Sequence, residues 1–520
     1  MTFTTITFLV FLAIVFPLYW SLRSARQQNV FLIIAGYVFY GWWDWRFCGL
    51  LLVSSLVDFW AGHALERTDD PRRRRRILTA ALSTNLGILG MFKYFNFFAD
   101  SFATAAGAFG WHVDWVTLRV VLPVGISFYT FQSMSYSIDV YRRRLHGTNH
   151  LIDYMAFVSF FPQLVAGPIE RAGHMLPQFQ NPRRFDYEQA VDGCRQILWG
   201  FVKKLLVADS IAPVVSAAFS APRTHGGLDL AVASLLFTFQ IYFDFSAYSD
   251  IAVGLGKLLG FQLMRNFAYP YFSASLGEFW RRWHISLSTW FRDYVFIPLG
   301  GSRTTPLRHA GAIMTTFLLS GLWHGAAWTF VAWGGLHGAA LLPESLAGRG
   351  KPKTHASDVP GGEGALPSLG MAARMLATFI VVWVGWVFFR AATLRDAGFI
   401  VRRIGATAVA PWRADPITIL QLGPLGRALP IAVLAVLVVE WVQRRHEHPL
   451  VLPALPRPLR WATYQLLLWL TIYVGTIGTS APFHILPVLN AGLPYYPSFA
   501  FASWLGKRLV SQAPDVRWEV

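Results

Sequence analysis

The sequence predicts an all-α polytopic membrane protein, and three observations predict it. The 520 residues are 54% hydrophobic and 16% aromatic. Only 14% are charged, against about 25% in soluble globular chains, and the mean hydropathy is +0.41. Apolar stretches of spanning length recur along the whole chain, which gives an expectation of about eleven membrane helices, some of them short, re-entrant or interfacial.

The first span is "FTTITFLVFLAIVFPLYWSL", residues 3–22. It has no basic start and no small-residue cleavage site after it, so it reads as a retained helix rather than a leader. Arg23 and Arg26 follow it. Spans at 30–43 and 47–64 frame "GWWDWRF", 41–47, whose indoles suit a membrane–water interface. The turn at 66–76 carries five successive arginines, Arg72 to Arg76. Spans at 77–98 and 122–144 follow, the second ending in "YRRRLH", 141–146.

Residues 151–182 are interrupted by Pro162, Gly167, Pro168 and Pro177. They read as short or re-entrant helices beside an internal cavity, since irregular backbone at membrane depth needs protein or water around it. Further spans lie at 230–243, 310–333, 371–389, 428–442 and 460–478. A Gly/Pro-rich polar linker, 346–370, separates a core at 1–345 from a C-terminal helical group at 371–485. The tail at 486–520 has no assigned role.

The net charge of +17 sits in short turns: Arg23 with Arg26, 71–76, 141–146, Lys203 with Lys204, and 443–448. That placement marks a cytoplasmic side and attraction to anionic membrane lipid, not a nucleic-acid partner. Cys48 and Cys194 lie in apolar surroundings and are expected as buried thiols, with no disulfide framework and no metal site.

Ionisable groups inside spans are costly and usually functional. In "YFDFSAYSDIAVGLGKLLGF", 242–261, Asp244 and Asp250 interrupt an apolar helix. They make either a hydrogen-bonded scaffold or the polar wall of a substrate chamber. In "FWRRWHISLSTWFRDY", 279–294, helical spacing puts Trp280, His284 and Ser288 on one face of an interfacial helix. The arginines anchor it or pair with Glu278 or Asp293. In "GLWHGAAW", 321–328, His324 has Ser320 one turn before it and Trp328 one turn after. An imidazole costs less to bury than a permanent charge and can take a proton. His324 and His284 are therefore the candidate catalytic residues, each weighed against a packed structural histidine, and His337 ranks below them. With no P-loop, no G-x-S-x-G and no H-E-x-x-H, general-base group transfer is the chemistry left.

These segments resemble a known family. "FWRRWHISLSTWFRDYVFIPLGG", 279–301, followed by "GLWHGAAWTFVAWGGLHG", 321–338, is similar to the paired signature of the membrane-bound O-acyltransferases (MBOAT). "LPVGISFYTFQSMSYSIDVYR" (122–142), "FFPQLVAGPIER" (160–171), "GFVKKLLVADSIA" (200–212) and the 242–261 stretch resemble its bacterial alginate O-acetyltransferase-like branch. "TSAPFHIL", 479–486, resembles that branch's ending more loosely.

The resemblance implies an MBOAT-type helical ring around a transmembrane tunnel, with His324 at the family's invariant histidine and His284 at its second polar position. It implies an enzyme of the bacterial inner membrane that uses an acyl thioester donor, acetyl-CoA or another, as co-substrate, with no bound cofactor. The expected partners are a periplasmic SGNH-type acetylase and polysaccharide export machinery, for O-acetylation of a polysaccharide such as alginate. D-alanyl or peptidoglycan O-acyl transfer, or a transporter of polysaccharide or lipid intermediates, are the alternatives.

Overall fold

The computed structural model describes residues 1–111, 120–348, 364–413, 415–421, 426–452 and 455–477. Most of the predicted linker, the "TSAPFHIL" stretch and the tail at 486–520 lie outside them. Among the described residues every regular element is helical.

The chain opens with α1 (Ile6–Ser21), α2 (Ala25–Gly41), α3 (Cys48–Glu66) and α4 (Pro71–Leu89). A wide π turn, Gly90–Tyr94, leads into α5 (Phe95–Ala108), and α6 (Ile126–Tyr141) follows. The starts are set by side chains that satisfy orphan N–H groups. Thr5 accepts from Phe8, Ser24 and Gln27 form a reciprocal capping box, and Asp70 caps ahead of Pro71. α1 buries Phe8, Phe11, Val15 and Tyr19 while Ile6, Leu9, Val10 and Ile14 face outward. A helix apolar all round yet packed on one side faces lipid with the other.

The Pro- and Gly-broken region folds as expected into short helices, α7 (Leu151–Val158), α8 (Phe161–Leu164) and α9 (Ala172–Gln180). Phe157, Phe160 and Phe161 are wholly buried there, so protein surrounds the irregular backbone. α10 (Tyr187–Phe201), a π turn at Val202–Ala208, and α11 (Asp209–Ser220) precede α12 (Gly227–Leu258). The 32 residues of α12 run roughly 48 Å at 1.5 Å each and form a spine for the second half of the fold. Then come α13 (Leu276–Arg282), α14 (Ile285–Phe291), a π turn at Arg292–Phe296, α15 (Pro306–His324) and α16 (Trp328–Ala347). α17 (Leu369–Arg390), α18 (Leu394–Val409), α19 (Leu429–Val442) and α20 (Arg457–Ile477) complete the described helices.

Among the described residues three segments, Trp45–Glu66, Gly227–Leu258 and Leu369–Arg390, are long and apolar enough to cross a membrane, and Ile6–Ser21 is a shorter apolar helix. The eleven expected spans are not matched by eleven such helices among the described residues. The predicted 310–333 span shows one reason, because it breaks after His324 into the antiparallel pair α15 and α16. The pair is held close by two glycines. A Cβ on Gly321 would come 2.2 Å from the Phe330 carbonyl oxygen, and one on Gly334 2.2 Å from that of Phe317.

The basic turns meet on one face. Trp20 Nε1 donates to the Leu258 carbonyl at 3.1 Å, bringing the end of α1 to the end of α12. Lys257 pairs with Asp192 at 2.6 Å, and His448 lies 3.0 Å from the same carboxylate. Gln178 accepts from the Gln262 N–H at 2.8 Å, and Glu170 accepts from that of Met264. Arg171 and Arg142 both reach Asp293, Arg143 pairs with Asp69, and His146 with Glu66. The turns after α1, α3, α6 and α19 thus share one end of the bundle. Lys203 and Lys204 are the exception, because they are buried in the π turn rather than set in a loop. Lys203 pairs with Asp250, and Lys204 with both Asp209 and Asp244, each at 2.7 Å. Those acids, spaced along α12 and α11, need buried cations as partners. The cysteines also differ from expectation: Cys194 is exposed on α10 and Cys48 is half-buried.

Two apolar clusters fill the interior. One joins α1–α3, α6–α9 and the last turns of α12, and the other joins α10–α12, α13, α16, α17 and α19. Trp323 and Leu287 belong to the first, and Trp283, Trp333 and Phe389 to the second. His284 and His324 stand on the seam between them.

Candidate active site

The sequence between 275 and 294 folds as a hairpin, not as one interfacial helix. Its first leg, α13, starts at Ser275, whose hydroxyl donates to Glu344 at 2.8 Å. Arg282 pairs with Glu278 at 2.9 Å, one of the two partners expected for the arginines. The helix stops at Trp283, and His284 turns the chain with φ 44° and ψ 56°. The second leg, α14, returns to the basic face, where Asp293 meets Arg142 and Arg171. Left-handed backbone at a non-glycine residue costs about 1–2 kcal/mol and persists only where the surroundings impose it. Asn266 does so here. Its carbonyl accepts from Ile285 N–H at 2.9 Å, and its side-chain oxygen accepts from Ser286 N–H at 3.2 Å and Ser286 Oγ at 3.0 Å. Trp280, His284 and Ser288 consequently do not form one helical face.

His324 is the last residue of α15, and Gly325 beyond it is extended. Trp328 therefore opens the next helix instead of lying one turn above the histidine. The ring of His324 packs among Trp323, Trp333 and Phe389, at centroid distances of 5.0, 5.2 and 5.4 Å. The His284 ring lies 6.2 Å away. The hairpin tip and the helix end thus bring together the two histidines that sequence singled out, forty positions apart.

Their surroundings differ. His284 is 1% exposed and boxed by Phe245, Phe267, Phe128 and Trp323, and neither ring nitrogen has a hydrogen-bond partner. His324 keeps 6% exposure. His337, ranked lower, is fully buried among Trp280, Trp333 and Trp386, again with both nitrogens unpartnered. All three are buried, and His324 retains slightly more exposure than the other two.

The polar stretch of α12 forms a scaffold around a small cavity. Asp250 accepts from Lys203 at 2.7 Å and from Gln196 at 3.0 Å, and Ser246 accepts from Lys203 at 2.7 Å. Tyr242 donates to the buried Glu440 of α19 at 2.9 Å. The cavity they line measures about 20 Å³, room for roughly one water. Asn266 and Phe267 form part of its wall and also hold the His284 turn, so the scaffold and the histidines are mechanically continuous.

Sequence reading missed residues that contact the site from other segments: Asn266, Trp333, Phe389, Lys93 and Tyr94. Lys93 alone carried a signal, as a single cation within the apolar 77–98 stretch.

Comparison with known proteins gives this geometry a family. The model of the MBOAT, membrane-bound O-acyltransferase family, matches residues 140–358, a segment that contains both histidines. The "Probable alginate O-acetylase AlgI" of Azotobacter vinelandii is 39% identical over 447 residues, 85% of each chain. Its namesake in Pseudomonas aeruginosa is 41% identical over 399 residues, 76% of this chain and 73% of the relative. The "Peptidoglycan O-acetyltransferase" of Helicobacter pylori is 32% identical over 424 residues, 76% of this chain and 77% of the relative. Helical in every regular element of its described residues, with long apolar segments and alike over most of its length to these enzymes, the chain belongs to the membrane-bound O-acyltransferase family and is an acyltransferase of the membrane.

Proposed function

We infer that this protein moves an acetyl group from a cytosolic thioester, acetyl-CoA, toward a hydroxyl acceptor on the other side of the bacterial inner membrane. The product is an O-acetylated exported polysaccharide of the alginate class, completed through a periplasmic acetylase and the export machinery. Likeness to the alginate O-acetylases across 85% of the chain carries the acceptor class. The position of His324 at a buried helix end, with the His284 ring 6.2 Å away, supports its role as the base.

The reaction follows from those positions. Neutral His324 removes the proton from the acceptor hydroxyl. The oxygen attacks the thioester carbonyl, the C–O bond forms, the C–S bond breaks, and the thiolate recovers the proton from the imidazolium. His284, or a nearby indole N–H, stabilises the oxyanion of the tetrahedral intermediate. General-base help of this kind is worth about 10²–10⁴-fold. Purified protein given radiolabelled acetyl-CoA transfers label to a hydroxyl acceptor, and His324→Ala loses that transfer by about that factor while remaining in the membrane. Wild-type transfer by His324→Ala sinks the assignment. Acetyl groups appearing on peptidoglycan rather than on secreted polysaccharide would favour the reading suggested by the Helicobacter relative.

A further inference from the structure

We propose that Lys93 is a positioning residue for acyl transfer, fixing the end of α15 from which His324 projects; this rests on His324 being the base.

The last carbonyls of a helix have no partners within it. At the end of α15 the Leu322 carbonyl accepts from the Tyr94 hydroxyl at 3.0 Å, and the Trp323 carbonyl from the Lys93 ammonium. Lys93 also donates to Ser127 Oγ at 2.9 Å, on the first turn of α6, and its Nζ stands 5.2 Å from the centre of the Trp323 ring. One ammonium thus joins three segments at the residue before His324. Two neighbouring side chains reach two successive carbonyls from the π turn Gly90–Tyr94, and such turns recur at functional positions.

The same device occurs elsewhere in the fold. Arg74 donates to the carbonyls of Val140 and Tyr141 at the end of α6, and Arg183 to those of Gln178 and Phe179 at the end of α9. Both are anchors near the basic face, away from the histidines. Lys93 applies it inside an apolar segment, where a cation is costly and seldom without function, and the helix end it holds is the one that aims His324. A misplacement near 1 Å there removes the near-attack geometry.

Acetyl-CoA-dependent transfer by the purified full chain tests this, with kcat and KM read separately. Lys93→Met lowers kcat about 10- to 100-fold while KM for acetyl-CoA stays within about twofold. Lys93→Arg, which keeps the cation and its donors, recovers most of the loss. A purely structural anchor would lower the yield of folded protein and leave kcat per folded molecule unchanged, and that result overturns the proposal. If Lys93→Met does not survive purification, Ser127→Ala and Tyr94→Phe decide. A kcat loss of about threefold or more in either supports it, and wild-type kcat in both overturns it. His324→Ala is run beside them. Retained transfer in that variant refutes the base, whereas a dead His324→Ala with a fully active Lys93→Met refutes the role of Lys93 alone.

Discussion

An imidazole at the end of a helix is positioned as much by the elements that pack beyond that end as by its own helix. His324 is such a residue, and its ring is enclosed by aromatic side chains rather than by its own helix. His284 is held differently, at a turn whose backbone no ordinary side chain prefers. This separates its ring from its backbone as contributors. His284→Ala removes the ring but keeps the strain, and His284→Gly removes both. Glycine adopts the left-handed region without penalty, so the glycine variant should be more stable than the alanine variant by about 1 kcal/mol. Thermal unfolding in detergent measures the difference, and equal midpoints would mean the turn is not strained. Transfer should be impaired in both variants; full activity in both would return His284 to a packing role.

At the scale of elements, the α15–α16 hairpin depends on close backbone contact. A methyl on Gly334 would meet the Phe317 carbonyl oxygen at 2.2 Å, so the helices must separate. Gly334→Ala should destabilise the protein by about 1–3 kcal/mol and, by displacing Trp333 from His324, lower transfer as well. A melting temperature unchanged from wild type would contradict this. Here the limits of sequence reading are physical. The two histidines stood out because ionisable groups in apolar segments are rare, and the short helices of 151–182 stood out because proline and glycine punctuate them. The break after His324 was not legible, because no proline marks it and hydropathy runs unbroken through 310–333. The hairpin at 279–294 was hidden for a related reason. Its helix ends at Trp283 because Asn266, distant in sequence, captures the backbone beyond. Likewise Lys203 and Lys204 looked like a basic turn, since the aspartates that neutralise them come from other segments.

For the whole molecule, the gathering of basic turns on one face sets an orientation. With Cys48 and Cys194 changed to serine, a cysteine at Arg73 should react with an impermeant thiol reagent only from the cytoplasmic side. One at Trp45, beyond the far end of α2, should react only from the opposite side. Both positions are exposed, and labelling of both from one side would overturn the arrangement. The two apolar clusters add a second large-scale feature. His284 and His324 stand on the seam between them, so their rings contact aromatic side chains of both cores.

The hairpin at 279–294 enters and leaves by the same face. It therefore adds nothing to the parity of crossings, and α15 begins on the side where the preceding segment ended. A count that scored this aromatic stretch as one more traverse would assign every later loop, including the turn at 443–448, to the wrong compartment.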